Sequence, residues 1–330
     1  MAVKSRARGK QNSEDHQKHK SRIWLYLTLL TLQYGAQPLL SKRFSGKGVT
    51  VTSSVLICEC AKVLCALILI VKEGSLGRLS EEWTFIGSLT ASGLPAAIYA
   101  LQNSLLQLSY RNLDSLTFTM LNQTKLFFTA LFMYFILGQK QSLQQIGALV
   151  LLIIAAFLLS IGEGSGHGSR GVDSEQAFLL GIIPVIAASV LSGLASSLCQ
   201  WASQVKKRSS YLMTIEMSAI GSLCMLASTL KSPDGKAIRQ QGFFSGWTIL
   251  TLIPIFTNAV GGILVGLVTT QAGGVRKGFV IVSALIVTAL LQYVFDGIPP
   301  SLYVLLSLPL VVTSIIIYQR YPYQVKEKKL

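Results

Sequence analysis

Charged residues are scarce in this sequence, and acidic ones especially so. Only 13% of the 330 residues are charged, against about 25% in a soluble domain, while 51% are hydrophobic. This deficit excludes an ordinary soluble protein and indicates that apolar side chains face a lipid bilayer. Histidine is also rare, and its three copies lie in tails or a loop. The sequence therefore predicts no metal site, no cofactor and no catalytic centre inside the membrane.

The cysteines give no indication of disulfide bonds. All five cysteines sit inside apolar runs, which excludes a disulfide-stapled secreted domain. They are predicted to be buried free thiols, at Cys58, Cys60, Cys65, Cys199 and Cys224.

Long apolar runs dominate what is present. A helix needs about 20 mainly apolar residues to cross the hydrocarbon core, and ten runs approach or exceed that length. They cover residues 23–41, 51–71, 86–109, 115–137, 143–162, 177–202, 211–230, 247–270, 278–295 and 301–318. No alternation typical of a membrane β-barrel is present. We therefore predict an all-α polytopic membrane protein with ten transmembrane helices.

The net charge of +15 follows from the same topology. An even number of spans puts both termini on one side, and most basic residues fall on that side. Positively charged loops stay in the cytosol, so both tails are predicted to be cytosolic, and no nucleic-acid partner is implied. Ten spans divide into two inverted five-helix halves, a plan common in secondary transporters. The predicted segments are a basic tail (1–22), a first half (23–162), a lumenal linker (163–176), a second half (177–319) and a basic tail (320–330).

Two lysines lie near the middle of predicted spans, Lys62 in the second and Lys125 in the fourth. Each such charge costs about 2.5 to 3.5 kcal/mol on insertion scales. Glu59 precedes Lys62 by three residues, so the two are predicted to pair, either for structural neutrality or as a cavity ion pair remade between transport states. Lys125 has no carboxylate at helical spacing. It is predicted to face a water-filled cavity that admits an anionic ligand.

Polar side chains surround this second lysine. Gln123 lies beside it, and Tyr99, Gln102 and Asn103 of the third span fall on one helix face. Such groups can join helices through hydrogen bonds. As a cluster beside a lysine, they are also candidates to bind a base or a sugar.

A second candidate anion site lies at the start of the ninth span, in the sequence Gly-Gly-Val-Arg-Lys-Gly at 273–278. Glycines before a helix with a basic first turn combine free amides, a positive helix end and a cation, which suits phosphate. We predict that Lys277 points inward. The alternative is an ordinary basic loop.

Single polar residues in other spans carry weaker signals. Ser192 in the sixth span and Asn258 in the eighth accompany small residues typical of close helix packing, and both are also candidates to line the cavity. Glu216 in the seventh span lies near the cytosolic end, where it is either solvated or lines a vestibule.

Six stretches together resemble the nucleotide-sugar transporters of the drug/metabolite transporter superfamily, in the group of CMP-sialic acid and UDP-galactose transporters. They are Glu59-Cys-Ala-Lys62, Tyr99-Ala-Leu-Gln-Asn103, Asn112-Leu-Asp114, Gln123-Thr-Lys125, Asn258-Ala-Val-Gly-Gly262 and Lys277-Gly-Phe279. The resemblance covers spans two to nine. Within that group the chain resembles plant members labelled CMP-sialic acid transporters, some of which are associated with UDP-N-acetylhexosamines.

This resemblance implies a central site between the halves and exchange of a cytosolic nucleotide sugar for a lumenal nucleoside monophosphate. The matching positions are Lys125 near the nucleotide, Lys277 near phosphate and sugar, Tyr99 and Asn103 at nucleotide contacts, and Glu59 with Lys62 beside the cavity. Ser104 replaces an Asn that family members often carry, so base and sugar preference stay open at this point.

We therefore predict an antiporter that moves CMP-sialic acid or a related nucleotide sugar into the Golgi or endoplasmic reticulum lumen. The alternative substrates are UDP-N-acetylglucosamine, UDP-N-acetylgalactosamine and UDP-galactose. Rival classes are a transporter of another organic phosphate, a membrane enzyme and a non-transporting scaffold, but a scaffold has no reason to keep mid-membrane lysines. Lys326 and Lys328 form a Lys-x-Lys-x-x end that resembles dilysine signals recognised by vesicle coats, or a plain basic tail.

Overall fold

The computed structural model describes residues 2–46, 48–113, 118, 121–164, 178–229, 232–297 and 299–323. Every regular element in these ranges is helical. The α-helices are α1 (Ala2–Phe44), α2 (Val51–Lys72), α3 (Leu76–Glu82), α4 (Phe85–Ser88), α5 (Leu94–Asn112), α6 (Lys125–Leu137), α7 (Leu143–Gly164), α8 (Ile183–Gln204), α9 (Ser210–Thr229), α10 (Pro233–Gln241), α11 (Leu252–Ala272), α12 (Gly274–Asp296) and α13 (Leu302–Arg320). Short π-helical turns at Leu89–Gly93 and Phe178–Ile182 precede α5 and α8, and a 3₁₀ turn at Ile249–Thr251 precedes α11.

Nine of the predicted spans coincide with these helices, taken with the short turns that precede some of them, whereas the fourth (115–137) lies partly outside the described residues and ends in α6. Within the described ranges, six helices are long and apolar enough to cross a membrane: α2, α8, α9, α11, α12 and α13. Helix α6 and most of α7 are apolar but shorter. The all-helical membrane fold is thus confirmed, whereas the number of ten crossings stays a prediction.

Some segments differ from the expectation or fall outside the described part. Helix α1 begins at Ala2, so most of the segment predicted as a basic tail (1–22) is helical and continuous with the first span. Most of the predicted linker, from residue 165 onwards, lies outside the described residues. Lys326 and Lys328 also lie outside them.

A cluster of buried apolar side chains joins α6, α7, α12 and α13. Helix α13 buries a stripe with alternating spacings of three and four residues, at Val304, Ser307, Val311, Ser314 and Tyr318. This is the spacing of one helix face, and α13 turns it towards α7. Three fully buried alanines of α7, at 148, 155 and 156, lie in the same cluster. Small side chains let backbones approach closely, which is how helices gain packing energy in a bilayer.

The remaining long helices pair across the chain. Helix α1 packs on α11 and α12, α2 packs on α9 and α11, and α5 and α6 both pack on α8. Each of these pairs joins a helix before the predicted linker to one after it. Together these helix pairs form the interface between the two predicted halves.

Contacts between loops and helix ends define the two ends of the bundle. At what we call the distal end, Asp234 of α10 accepts hydrogen bonds of 2.9 Å from both the backbone N and the Oγ1 of Thr52 at the start of α2. At the opposite end, which we call the terminal end, the Ser142 hydroxyl donates to the Tyr321 carbonyl oxygen at 2.7 Å. Helices α2, α8 and α11 all run from the distal end to the terminal end.

Close approach of α6 and α8 depends on Gly193. A Cβ at this position would lie 2.7 Å from the Phe128 carbonyl carbon and 2.8 Å from the Thr129 nitrogen. Since neither backbone atom can rotate away, we expect Gly193→Ala to destabilise the purified protein by about 1 to 3 kcal/mol. The matched control is Gly147→Ala in α7, where a Cβ meets nothing within 4 Å and helix propensity favours alanine. Equal thermal stability of the two variants would contradict the close approach.

Candidate functional site

A cavity of about 720 Å³ lies between α1, α2, α5, α8, α9, α11 and the first turn of α12. Its size is within the range of sites that bind small molecules, about 300 to 1,000 Å³. Towards the distal end its lining residues Ser104, Gln107 and Ser228 are exposed. Towards the terminal end Ser203 and Thr269 are buried. The cavity therefore opens at the distal end and closes at the terminal end.

Direct contacts between helices form the closed end. The side-chain amide of Gln204 in α8 donates to the Thr270 carbonyl oxygen of α11 at 2.8 Å. A Cβ on Gly266 of α11 would lie 2.6 Å from the Ser210 hydroxyl oxygen of α9. These contacts bring α11 against both α8 and α9 at the terminal end of the cavity.

The start of α12 brings a lysine into the cavity. Gly273 caps this helix with a φ of 88°, a conformation that glycine adopts without strain. A Cβ on Gly274 would lie 2.6 Å from the Met133 methyl carbon and 2.7 Å from the Ser196 hydroxyl oxygen. The two glycines therefore let α12 begin in contact with α6 and α8, where Lys277 lines the cavity as predicted.

The ammonium group of Lys277 has little compensation. Its Nζ donates to Ser196 Oγ at 3.3 Å, and no carboxylate of the described residues forms an ion pair with it. The free backbone amides expected at this helix start are partly used, because the Gly274 amide donates to Gln200 Oε1 at 2.7 Å. The positive charge available to an anion at this point is therefore carried by the side chain.

Lys62 has a partner. Its Nζ lies 2.5 Å from Glu59 Oε1, which confirms the pairing predicted from their spacing. Both residues line the cavity. A Cβ on Gly262 of α11 would lie 2.5 Å from Lys62 Cδ, so this glycine makes room for the lysine stem.

Two of the three residues predicted from helix α5 lie in the cavity lining. Tyr99 and Asn103 line the cavity, one helical turn apart. Gln102 is buried outside the cavity lining, and its Oε1 has no partner among the described residues. At 100° per residue, position 102 lies to one side of the face that positions 99 and 103 share, which accounts for the difference.

Lys125 begins a helix, although the sequence placed it in the middle of a continuous span. A turn at Gln123–Thr124 precedes it, with the Leu126 amide bonded to the Gln123 carbonyl oxygen at 3.1 Å. Lys125 and Gln123 are outside the cavity lining, and Gln123 is buried. The side chain of Leu126 packs on Gly278, so the first turns of α6 and α12 touch. Lys125, the residue before Leu126, therefore lies beside the turn of α12 that contains Lys277.

Two further predicted residues lie outside the cavity lining. Ser192 of α8 is half-buried and Asn258 of α11 is exposed. The residues of α8 that sequence reasoning missed as site candidates are Ser196, which contacts Lys277, and the lining residues Cys199 and Ser203. Their spacing of three and four residues marks one helix face, a signal that was present but resembled ordinary small-residue packing.

Glu216 neither meets solvent nor lines the cavity. Its carboxylate is buried and forms an ion pair with Arg208. It also accepts hydrogen bonds from Trp83 Nε1 at 3.0 Å and from Ser92 Oγ at 2.5 Å. Both readings offered for Glu216 from the sequence are therefore wrong, because partners from three other segments satisfy it. Arg208, which lies between α8 and α9, therefore belongs to this buried network.

The cysteines are free, as predicted, but only two of the five are buried, and Cys65 is half-buried. Cys58 and Cys199 are buried, whereas Cys60 and Cys224 are exposed. Cys224 lines the cavity near its distal opening. An apolar neighbourhood in sequence predicted burial, yet an apolar helix face can equally meet lipid or a cavity.

Comparison with known proteins identifies the family. A family model described as nucleotide-sugar transporter matches residues 20–319. The UDP-N-acetylglucosamine transporter ROCK1 of Arabidopsis thaliana is 70% identical over 308 residues, which cover 93% of this chain and 95% of that protein. The human UDP-N-acetylglucosamine transporter is 27% identical over 276 residues, covering 81% and 84%. The mouse UDP-galactose translocator is 28% identical over 273 residues, covering 79% and 69%.

A solved crystal structure has the same fold. It superposes with a TM-score of 0.67 at 15% identity, over 90% of this chain and 96% of that one. The named relatives are transporters, in agreement with the prediction that the chain is not an enzyme. Because the family match runs almost from end to end and the plant relative shares 70% of the aligned residues, the chain belongs to the nucleotide-sugar transporter family.

Proposed function

We propose that this transporter carries UDP-N-acetylglucosamine or a related UDP-N-acetylhexosamine, in exchange for UMP. The names of the plant and human relatives support this alternative over CMP-sialic acid, which the sequence alone had put first. The membrane concerned is that of the Golgi or endoplasmic reticulum, with both tails in the cytosol. Under this topology the distal end of the bundle faces the lumen.

The observation that carries the proposal is the ammonium of Lys277, which no carboxylate of the described residues neutralises, inside a cavity large enough for a nucleotide. A charge at this depth is costly unless a ligand compensates it. The diphosphate of a nucleotide sugar supplies two negative charges, and the phosphate of UMP supplies the same chemistry on the return step. Lys125 adds a second cation beside the first turn of α12. Tyr99 and Asn103 are the groups available to hydrogen-bond the rest of the ligand.

Alternating access between two inverted five-helix halves is the proposed mechanism. The pairing of helices supports it, because α1 on α11 and α12 corresponds to α8 on α5 and α6 when the halves are exchanged. The state with an open distal end would release nucleotide sugar and accept UMP. An empty cavity in which Lys277 has no carboxylate partner among the described residues resists crossing, whereas a bound anion removes that penalty, so exchange is expected to be obligatory.

Uptake into proteoliposomes tests both the substrate and the exchange. We expect radiolabelled UDP-N-acetylglucosamine to enter vesicles loaded with UMP at least about tenfold faster than vesicles without nucleotide. Unlabelled UMP and UDP-N-acetylgalactosamine should compete, while CMP and CMP-sialic acid at equal concentration should not. Stronger competition by the cytidine compounds would overturn the substrate assignment. Equal uptake into empty vesicles would overturn obligatory exchange and leave the substrate assignment intact.

A further inference from the structure

A second concave site lies on the outside of the bundle, between α1, α12 and α13. It has a volume of about 320 Å³ and is separate from the central cavity. Apolar side chains form much of it, including Leu27, Leu32, Val280 and Ile315. Leu32 is 51% exposed, so the groove is open along its side rather than enclosed.

The groove runs along one half of the bilayer. Arg276 lies at its terminal end and Val287 at its inner end, eleven positions further along α12. At 1.5 Å per residue this separation is about 16 Å, close to half of the roughly 30 Å hydrocarbon core. Contact between α1 and α12 closes the inner end, where a Cβ on Gly35 would lie 2.5 Å from Val287 Cγ1 and where the Thr288 hydroxyl donates to the Gly35 carbonyl oxygen at 2.9 Å.

The terminal end of the groove is polar and cationic. Arg276 is exposed there and forms no ion pair within the described part of the chain. Trp24 and Gln319 line the groove at the same end, and Trp24 is 44% exposed. Tryptophan is enriched at the depth of lipid headgroups, which assigns this end to the membrane surface. Arg276 at headgroup depth is complementary to a lipid phosphate, and the apolar channel below it, one leaflet deep, is complementary to an acyl chain.

We propose that this groove binds an anionic phospholipid, with its phosphate and headgroup at Arg276 and an acyl chain between α1, α12 and α13. Basic pockets between membrane helices attract anionic headgroups. The geometry also connects this site to the central cavity, because Arg276 and Lys277 are neighbours in the first turn of α12 and line different sites. A lipid held at Arg276 would brace the turn that presents Lys277.

Native mass spectrometry of the full-length protein in detergent tests this site. The probes are palmitoyl-oleoyl phosphatidylserine and phosphatidylcholine with identical chains, and the soluble headgroup analogue glycerophosphoserine. We expect one tightly held phosphatidylserine per protein, with an affinity about fivefold above that for phosphatidylcholine. Arg276→Gln should remove that preference and Arg276→Lys should keep it. Leu32→Trp, which fills the groove from its exposed side, should weaken binding of both lipids.

Arg320→Gln is the matched control, since Arg320 is exposed at the same end but does not line the groove. It should leave the preference for phosphatidylserine unchanged. If Arg320→Gln loses the preference for phosphatidylserine to the same extent as Arg276→Gln, the preference comes from diffuse surface charge and the proposed site is wrong. Displacement of the lipid by glycerophosphoserine at equal concentration, or a second copy of the chain in place of bound lipid, would also overturn it.

Discussion

Lys277→Met is expected to reduce exchange of UDP-N-acetylglucosamine for UMP by at least about 30-fold. The variant removes the cavity cation that has no carboxylate partner within the described residues, and loss of one partner from a desolvated charge pair costs about 2 kcal/mol or more. The empty protein should not be weakened, because an unpaired charge inside a membrane is itself unfavourable. Uptake in proteoliposomes measures exchange. The melting temperature without ligand measures the stability of the empty protein, and its increase with UMP measures binding.

The combination of outcomes separates binding from folding. If Lys277 binds the ligand, the variant should lose exchange, and UMP should no longer raise its melting temperature. The melting temperature of the empty protein should be unchanged or raised. Lys236→Met is the matched control, since Lys236 is exposed on α10, away from the cavity, and should exchange normally. Exchange by Lys277→Met within twofold of the native protein would contradict the role of this lysine.

Arg208→Met is expected to lower the free energy of unfolding by about 3 to 5 kcal/mol. The Glu216 carboxylate would then remain buried with neutral hydrogen-bond donors, among them Trp83 and Ser92, and a buried charge without an opposite charge is strongly destabilising. This network joins α9 to the segment between α2 and α5, so its loss should loosen the terminal end of the bundle. Unfolding of the purified protein in mixed micelles measures the effect.

Two comparisons show whether charge compensation is the cause. The double variant Arg208→Met with Glu216→Met should recover most of the lost stability, because it leaves no unpaired charge. Lys42→Met breaks the exposed pair with Asp296, whose atoms are 3.9 Å apart, and should cost at most about 1 kcal/mol. If the double variant is no more stable than Arg208→Met, packing rather than charge is responsible.

Local features of the site could be predicted from the sequence. Glu59 and Lys62 are three residues apart on one helix, and their pairing needs only helix geometry. The inward direction of Lys277 followed from glycines and a basic turn at a helix start. These inferences succeed because each concerns atoms whose separation is set by one helix.

Partners from distant segments could not be predicted in the same way. Glu216 meets Trp83, Ser92 and Arg208 because three segments converge on it. Ser192 lies on the same face of α8 as Ser196, Cys199 and Ser203 but outside the cavity lining, and nothing in α8 alone distinguishes it from them. The turn before Lys125 interrupts an apolar run that no glycine or proline marks. In each case the outcome depends on which helices pack together.

The sequence by itself determined that this protein is a helical membrane bundle and where most of its helices begin and end. The reason is that lipid offers no hydrogen bonds, so apolar segments must satisfy their backbone internally as helices. Only the tertiary structure decided that Lys277 has no carboxylate partner among the described residues, that the cavity closes at the terminal end, and that a cationic groove lies outside it. Those properties depend on the rotation of each helix about its axis, and in a bilayer that rotation is set by packing between helices.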